Sequence, residues 1–105
     1  MEPLKINGKE YTPYISFDNQ LNILEIKGES YPEKTMEFYD KPVKWLKEYL
    51  ENLDNQKVIF NFELIYMNSS SYRIFLGFFQ SLSDSAEQNK NIEVNWIYNK
   101  NDETI

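Results

Sequence analysis

The chain has 105 residues, seventeen Asp and Glu against eleven Lys and Arg, a formal net charge of -6, and neither cysteine nor histidine. That length supports one small domain with a single core. The missing residue types exclude a disulfide framework, a thiolate nucleophile, an imidazole base and any Cys- or His-held metal.

The cations are ten Lys and the lone Arg73, so there is no basic field to hold a phosphate backbone and nucleic acid is not an expected partner. Residues 1 to 20 carry Glu2, Lys5, Lys9, Glu10 and Asp18 with no unbroken apolar run, so neither a signal peptide nor a membrane span is expected. A cytoplasmic location follows, in keeping with the absence of cysteine. Aromatic residues are 16% of the chain, which points to a thick core between a sheet and helices rather than to disorder.

In chain order, Tyr11 to Phe17 and Leu21 to Lys27 read as two strands joined through polar Asp18-Asn19-Gln20, a hairpin. Gly28 ends the second strand. Ser30-Tyr31-Pro32-Glu33 then has the Ser-x-x-Glu spacing by which a hydroxyl and a carboxylate satisfy orphan amides at a helix start. From Thr35 to Leu53 the apolar residues Met36, Tyr39, Val43, Leu46, Leu50 and Leu53 recur every three or four positions, a helical period. Pro42 lacks an amide hydrogen and disfavours helical geometry just before it. The expectation is therefore a main helix starting near Pro42, or one kinked helix.

Lys57 to Tyr66 is β-branched and aromatic, with Val58, Phe60, Phe62 and Leu64 on one face. Ile59 and Ile65 on the other predict a central strand covered on both sides. Asn68-Ser69-Ser70-Ser71 precedes Ile74, Phe75, Phe78, Phe79 and Leu82, one face of a helix running to about Gln88 with the serines at its N-terminus. Ile92, Val94, Trp96 and Tyr98 alternate with Glu93, Asn95 and Asn99 as a last strand, and Asn101 to Ile105 begins a helix that the chain stops short of. The order predicts a single α/β domain over residues 1–105: an N-terminal β-hairpin, then alternating helices and strands in a mixed, mainly parallel sheet with right-handed crossovers.

In such a sheet function gathers where the chain leaves the carboxyl ends of parallel strands. Three segments are expected there: Gly28 to Glu33, Met67 to Ser71, and Asn99 to Asp102. The serine run sits where a strand turns into a helix, beside free amides and the positive end of the helix dipole, a place that receives phosphate well. One of these serines, or Asn68, is also expected to be the helix cap. Glu29 and Glu33 have no nucleophile-and-base arrangement beside them and no Gly-rich nucleotide loop exists, so enzymatic activity is not expected and no catalytic residue or metal ligand is assigned. Tyr31, Tyr66, Tyr72 and Tyr98 are read as core or edge packing, since base stacking needs a basic groove.

Taken together, Gly28-Glu29-Ser30-Tyr31-Pro32-Glu33, Tyr66-Met67-Asn68-Ser69-Ser70-Ser71-Tyr72-Arg73 and Trp96-Ile97-Tyr98 resemble the SiaC family of bacterial regulatory phosphoproteins, over about residues 12 to 102. The resemblance implies a fold similar to the STAS domains of anti-sigma factor antagonists. It also implies a non-enzymatic switch without cofactors. In that family a serine/threonine kinase with a histidine-kinase-like ATPase fold phosphorylates the hydroxyl after the Asn, and a PP2C-like phosphatase removes the group. The resemblance thus implies that the unphosphorylated form binds and promotes a GGDEF-type diguanylate cyclase, raising cyclic di-GMP and favouring biofilm formation.

Carried onto this sequence, the acceptor is Ser69, with Ser70 and Ser71 as alternatives because the run displaces easily by one position. The partner-binding residues are Tyr31, Pro32, Glu33, Asn68, Ser69 and Ser70. Two other roles remain open for the same fold, a partner switch of the anti-sigma factor antagonist type and a module binding an anionic small molecule beside Arg73 and Lys100. The family usually continues into a C-terminal helix, so this chain is expected to lack most of one and to expose apolar surface there.

Overall fold

The computed structural model describes residues 1–98. Its elements are β1 (Leu4–Ile6), β2 (Tyr14–Asp18), β3 (Ile23–Ser30), α1 (Thr35–Glu51), β4 (Val58–Met67), α2 (Ser69–Glu87) and β5 (Ile92–Trp96). The five strands lie side by side in sequence order, β1 to β3 antiparallel and β3 to β5 parallel. This is the expected mixed α/β sheet with a hairpin at its start. β1 was not expected: it is three residues long, too short for its Leu4 and Ile6 to show a period, and it forms by pairing with Phe17 to Ile15 of β2.

Alternation along the strands decides which face is buried. Ile15, Phe17, Leu24, Ile26, Val58, Phe60, Phe62 and Leu64 all lie inside, and each large side chain so placed contributes roughly 1.5–3 kcal/mol. Both crossovers, β3-α1-β4 and β4-α2-β5, step the same way along the sheet, so right-handed connections put both helices on the same side. Phe78 of α2 packs on Phe17, Tyr39 and Phe60, which joins sheet and helices in one core.

The expectation that β4 is covered on both sides is therefore wrong. On its second face Ile59, Asn61 and Glu63 are half-buried and Ile65 is 62% exposed. Cross-strand polar pairs suit that face to water: Lys27 with Glu63 at 3.3 Å, Asn95 with Asn61 at 2.9 Å, and Lys57 with Glu93 at 3.2 Å. The Glu93 carboxyl is held below its ordinary range, first by the Asn95 amide and then by Lys57.

α1 is one helix running through Pro42. The lost hydrogen bond and clash cost ~3 kcal/mol in an exposed helix, and here the proline is buried against the core. Its buried stripe holds Tyr39, Leu46, Tyr49 and Leu50, whereas Met36 is 75% and Val43 41% exposed. At 3.6 residues per turn those two fall about 60° and 40° round the helix from Tyr39, on one flank of the stripe.

β3 does not stop at Gly28. A register shift between Gly28 and Glu29 accommodates the extra Ile65 of β4, with Gly28 at φ 114°, a conformation that an L side chain rarely adopts. The strand then continues to Ser30, which pairs with Met67. At the other edge Ile92, Val94 and Trp96 are in register with Val58, Phe60 and Phe62 and so face the helix side, but Val94 and Trp96 stay 43% and 39% exposed. Tyr98 lies beyond the end of β5. The expected Asn99 to Asp102 loop and the start of a helix at Asn101 fall outside the described residues.

Candidate functional site

β3 and β4 are adjacent and parallel, so their carboxyl ends, and the starts of α1 and α2 that follow, come out at one edge of the sheet. Backbone and side chains then tie the two exits together. The Asn68 amide donates to the Ser30 carbonyl at 2.9 Å, and Ser30 Oγ donates to Ser71 Oγ at 2.8 Å. Tyr39 Oη is 2.5 Å from Ser30 Oγ. With the one Ser30 proton given to Ser71, Tyr39 is the donor of that bond.

Ser30, Tyr39 and Ser71 are all fully buried, so this hydroxyl chain runs from α1 through β3 to α2 inside the core. Burial raises the Tyr39 phenol far above its ordinary value. The chain corrects the expected capping box: Ser30 is a strand residue committed to Tyr39 and Ser71, so it cannot reach the start of α1. That helix is flanked by Lys34 with no side-chain cap, and Thr35 Oγ1 donates back to the Pro32 carbonyl at 3.4 Å.

α2 is capped differently. Asn68 is extended, and its Oδ1 accepts from the Ser71 amide at 2.9 Å, so the asparagine and not a serine satisfies the helix start. Helical geometry then sorts the three serines. Ser71 is turned inward and sealed, which removes it as an acceptor on the folded surface, while Ser69 and Ser70 are exposed. No acidic residue occupies the first turn of α2.

Of the other predicted partner-binding residues, Glu33 is exposed, Tyr31 and Asn68 are half-buried, and Pro32 is buried, so it shapes the turn from beneath the surface. Tyr31 lies at the centre of a ladder of rings, 5.1 Å from Tyr11 and 5.3 Å from Tyr66, both edge-to-face. Partial burial and then the Glu29 carboxylate raise its phenol pKa. Glu29 accepts a long bond of 3.4 Å from that phenol.

A groove of about 520 Å³ separates the starts of α1 and α2, lined by Glu33, Lys34, Thr35, Met36 and Glu37 on one side and Ser70, Arg73 and Ile74 on the other. Sequence reasoning missed Tyr39 as a polar partner and Lys34 and Met36 as groove residues, because a helical period assigns Tyr39 and Met36 alike to the core. The exposed flank that carries Met36 is set by where α2 packs. Among the described residues no cluster of acidic side chains could hold a metal ion, and no helix is long and apolar enough to cross a membrane.

The molecule is a two-layer α/β domain that presents exposed hydroxyls at a capped helix start, beside a second loop that they adjoin. Comparison with known proteins makes it particular. Residues 6–105 match the SiaC family of regulatory phosphoproteins, and the chain belongs to that family.

The crystal structure of apo-SiaC from Pseudomonas aeruginosa superposes with a TM-score of 0.90 at 26% identity, over 95% of this chain and 82% of that one. SiaC in the crystal structure of the diguanylate cyclase SiaD with its activator SiaC, from the same organism, gives 0.90 at 26% identity, over 95% and 81% of the two chains. An uncharacterised protein of Pseudomonas aeruginosa strain UCBPP-PA14 is 27% identical over 106 residues, spanning all of this chain and 82% of that protein.

Proposed function

We propose that this chain is a phosphorylation-controlled activator of a diguanylate cyclase, with Ser69 as the acceptor. One observation carries the reading. In a family of regulatory phosphoproteins, Ser69 is an exposed hydroxyl immediately after the Asn68 cap, at the edge where the Tyr31 and Asn68 loops meet. The partner class comes from SiaC of Pseudomonas aeruginosa, which is the activator of the cyclase SiaD in their complex.

A serine/threonine kinase transfers the γ-phosphoryl group of ATP to Ser69 Oγ. The O–P bond forms as the bond to ADP breaks, and the hydroxyl proton leaves. A phosphatase of the PP2C type returns the serine by hydrolysis. The unmodified surface around Tyr31, Glu33, Asn68, Ser69 and Ser70 meets the cyclase. A phosphate of charge about -1.5 to -2 in that surface, near Glu29 and Glu33, costs too much to desolvate in the interface, and the complex is lost while the fold stays as it is.

Pairwise binding of wild type, Ser69→Ala, Ser69→Asp and Ser69-phosphorylated protein to the candidate cyclase tests this. The phosphorylated form is expected to bind at least tenfold more weakly than wild type, and Ser69→Ala to bind like wild type. Equal affinity of the phosphorylated and unmodified forms sinks the reading.

A further inference from the structure

Arg73 is the chain's lone arginine, and its position on α2 has a chemical consequence. It stands four residues after Ser69 and three after Ser70, the spacings that bring side chains together on one helix flank. It is exposed, it takes part in none of the salt bridges among the described residues, and it lines the groove between α1 and α2 together with Ser70. Lys34 is the second cation of that groove, and Glu33 and Glu37 are its carboxylates. A guanidinium that closes no ion pair with either carboxylate is free for a stronger anion. A phosphoryl group has three acceptor oxygens and up to twice the charge, and the planar guanidinium fork matches two of those oxygens at once.

We propose that Arg73 reads the phosphorylation state: a phosphoryl group on Ser69 draws the Arg73 guanidinium onto itself from one helical turn away, reshaping the mouth of the groove between α1 and α2. The proposal rests on Ser69 being the acceptor. Its effect is local, because Ser69 and Arg73 are both on the outside of α2 while Ser71 and Phe75 hold the helix to the core.

The test uses the full chain with phosphoserine inserted at position 69 during translation, so that neither kinase nor cyclase is needed. ³¹P NMR follows the second ionisation of the phosphate, which lies at pKa about 6 in an unperturbed chain. With Arg73 present it is expected to fall by roughly half a unit, as an opposite charge within a few ångströms favours the dianion. Arg73→Gln should return it to about 6, and Arg73→Lys should leave it between the two, because charge remains but the fork is gone. Arg73 is exposed, so these variants fold, and a circular dichroism spectrum matching wild type checks that they do. An ionisation that Arg73→Gln leaves unmoved overturns the proposal. The functional reading fails by a different result, retention of cyclase affinity on phosphorylation, so the two failures are told apart.

Discussion

The two crossover loops at the carboxyl ends of β3 and β4 do the same topological job with opposite chemistry. The β3 exit buries its hydroxyls: Ser30 and Thr35 are inside, Pro32 is buried, and α1 starts at Thr35, after Lys34, without a side-chain cap. The β4 exit satisfies its helix with one asparagine and leaves two serines outside. A cap made by Asn68 releases Ser69 and Ser70 from a structural duty that they would otherwise perform. The two hydroxyls are thereby left on the surface, and the buried exit beside them holds that edge in place.

The sharpest way to break this contrast is to put the same charge at two ends of the serine run. Ser71→Asp sets a carboxylate in a fully buried site with no cation, and should destabilise the fold by several kcal/mol, on the order of 3–5. Urea unfolding measures it, and a loss below about 1 kcal/mol would mean that Ser71 is not sealed. Next in size is an alkaline transition. Burial raises the Tyr39 and Tyr49 phenols, the latter to about 12. Their contribution is intact below the ordinary phenol value near 10 and is lost as pH rises from there through their folded values. Thermal melts from pH 8 to 12 should show stability falling above pH 10, with the fall reduced in Tyr39→Phe.

Tyr39→Phe itself removes the donor to Ser30 while keeping the ring, and is expected to cost roughly 1–2 kcal/mol at neutral pH. Asn68→Ala should cost about 1 kcal/mol by losing the bond to the Ser71 amide, whereas Lys34→Ala at the other exit should stay within about 0.5 kcal/mol, having no cap to lose. Equal effects in guanidinium melts would erase the difference between the loops. The smallest change is Ser69→Asp, expected to be neutral or to stabilise by about 0.3–1 kcal/mol, since an exposed anion at a helix start is favourable. Its sign opposite to that of Ser71→Asp, two residues away, is the cleanest check.

Much of the architecture is legible along the chain because it depends on near neighbours. Alternation marked Val58, Phe60, Phe62 and Leu64 as a buried row, and the three- and four-residue spacing marked Tyr39, Leu46 and Leu50. The candidate site was legible as a region, through the serine run after a strand and the resemblance it completes. What misled was any pattern whose meaning depends on a distant partner. Ser-x-x-Glu at Ser30 has the spacing of a cap, yet Ser30 faces Tyr39 and Ser71 once β3 extends through the Gly28 irregularity. Ile59 and Ile65 imitate a strand buried twice, yet the hand of the two crossovers leaves their face open.

The sequence by itself determined four of the five strands and both helices to within a few residues, that Asn68 and three serines begin the second long helix, and which chemistries a chain without Cys or His cannot perform. Those follow from backbone propensity, side-chain period and composition, all of which act over a few residues. Only the tertiary structure decided which serine is sealed and which are offered, because that choice rests on a hydroxyl pair 41 residues apart brought together by the parallel pairing of β3 with β4.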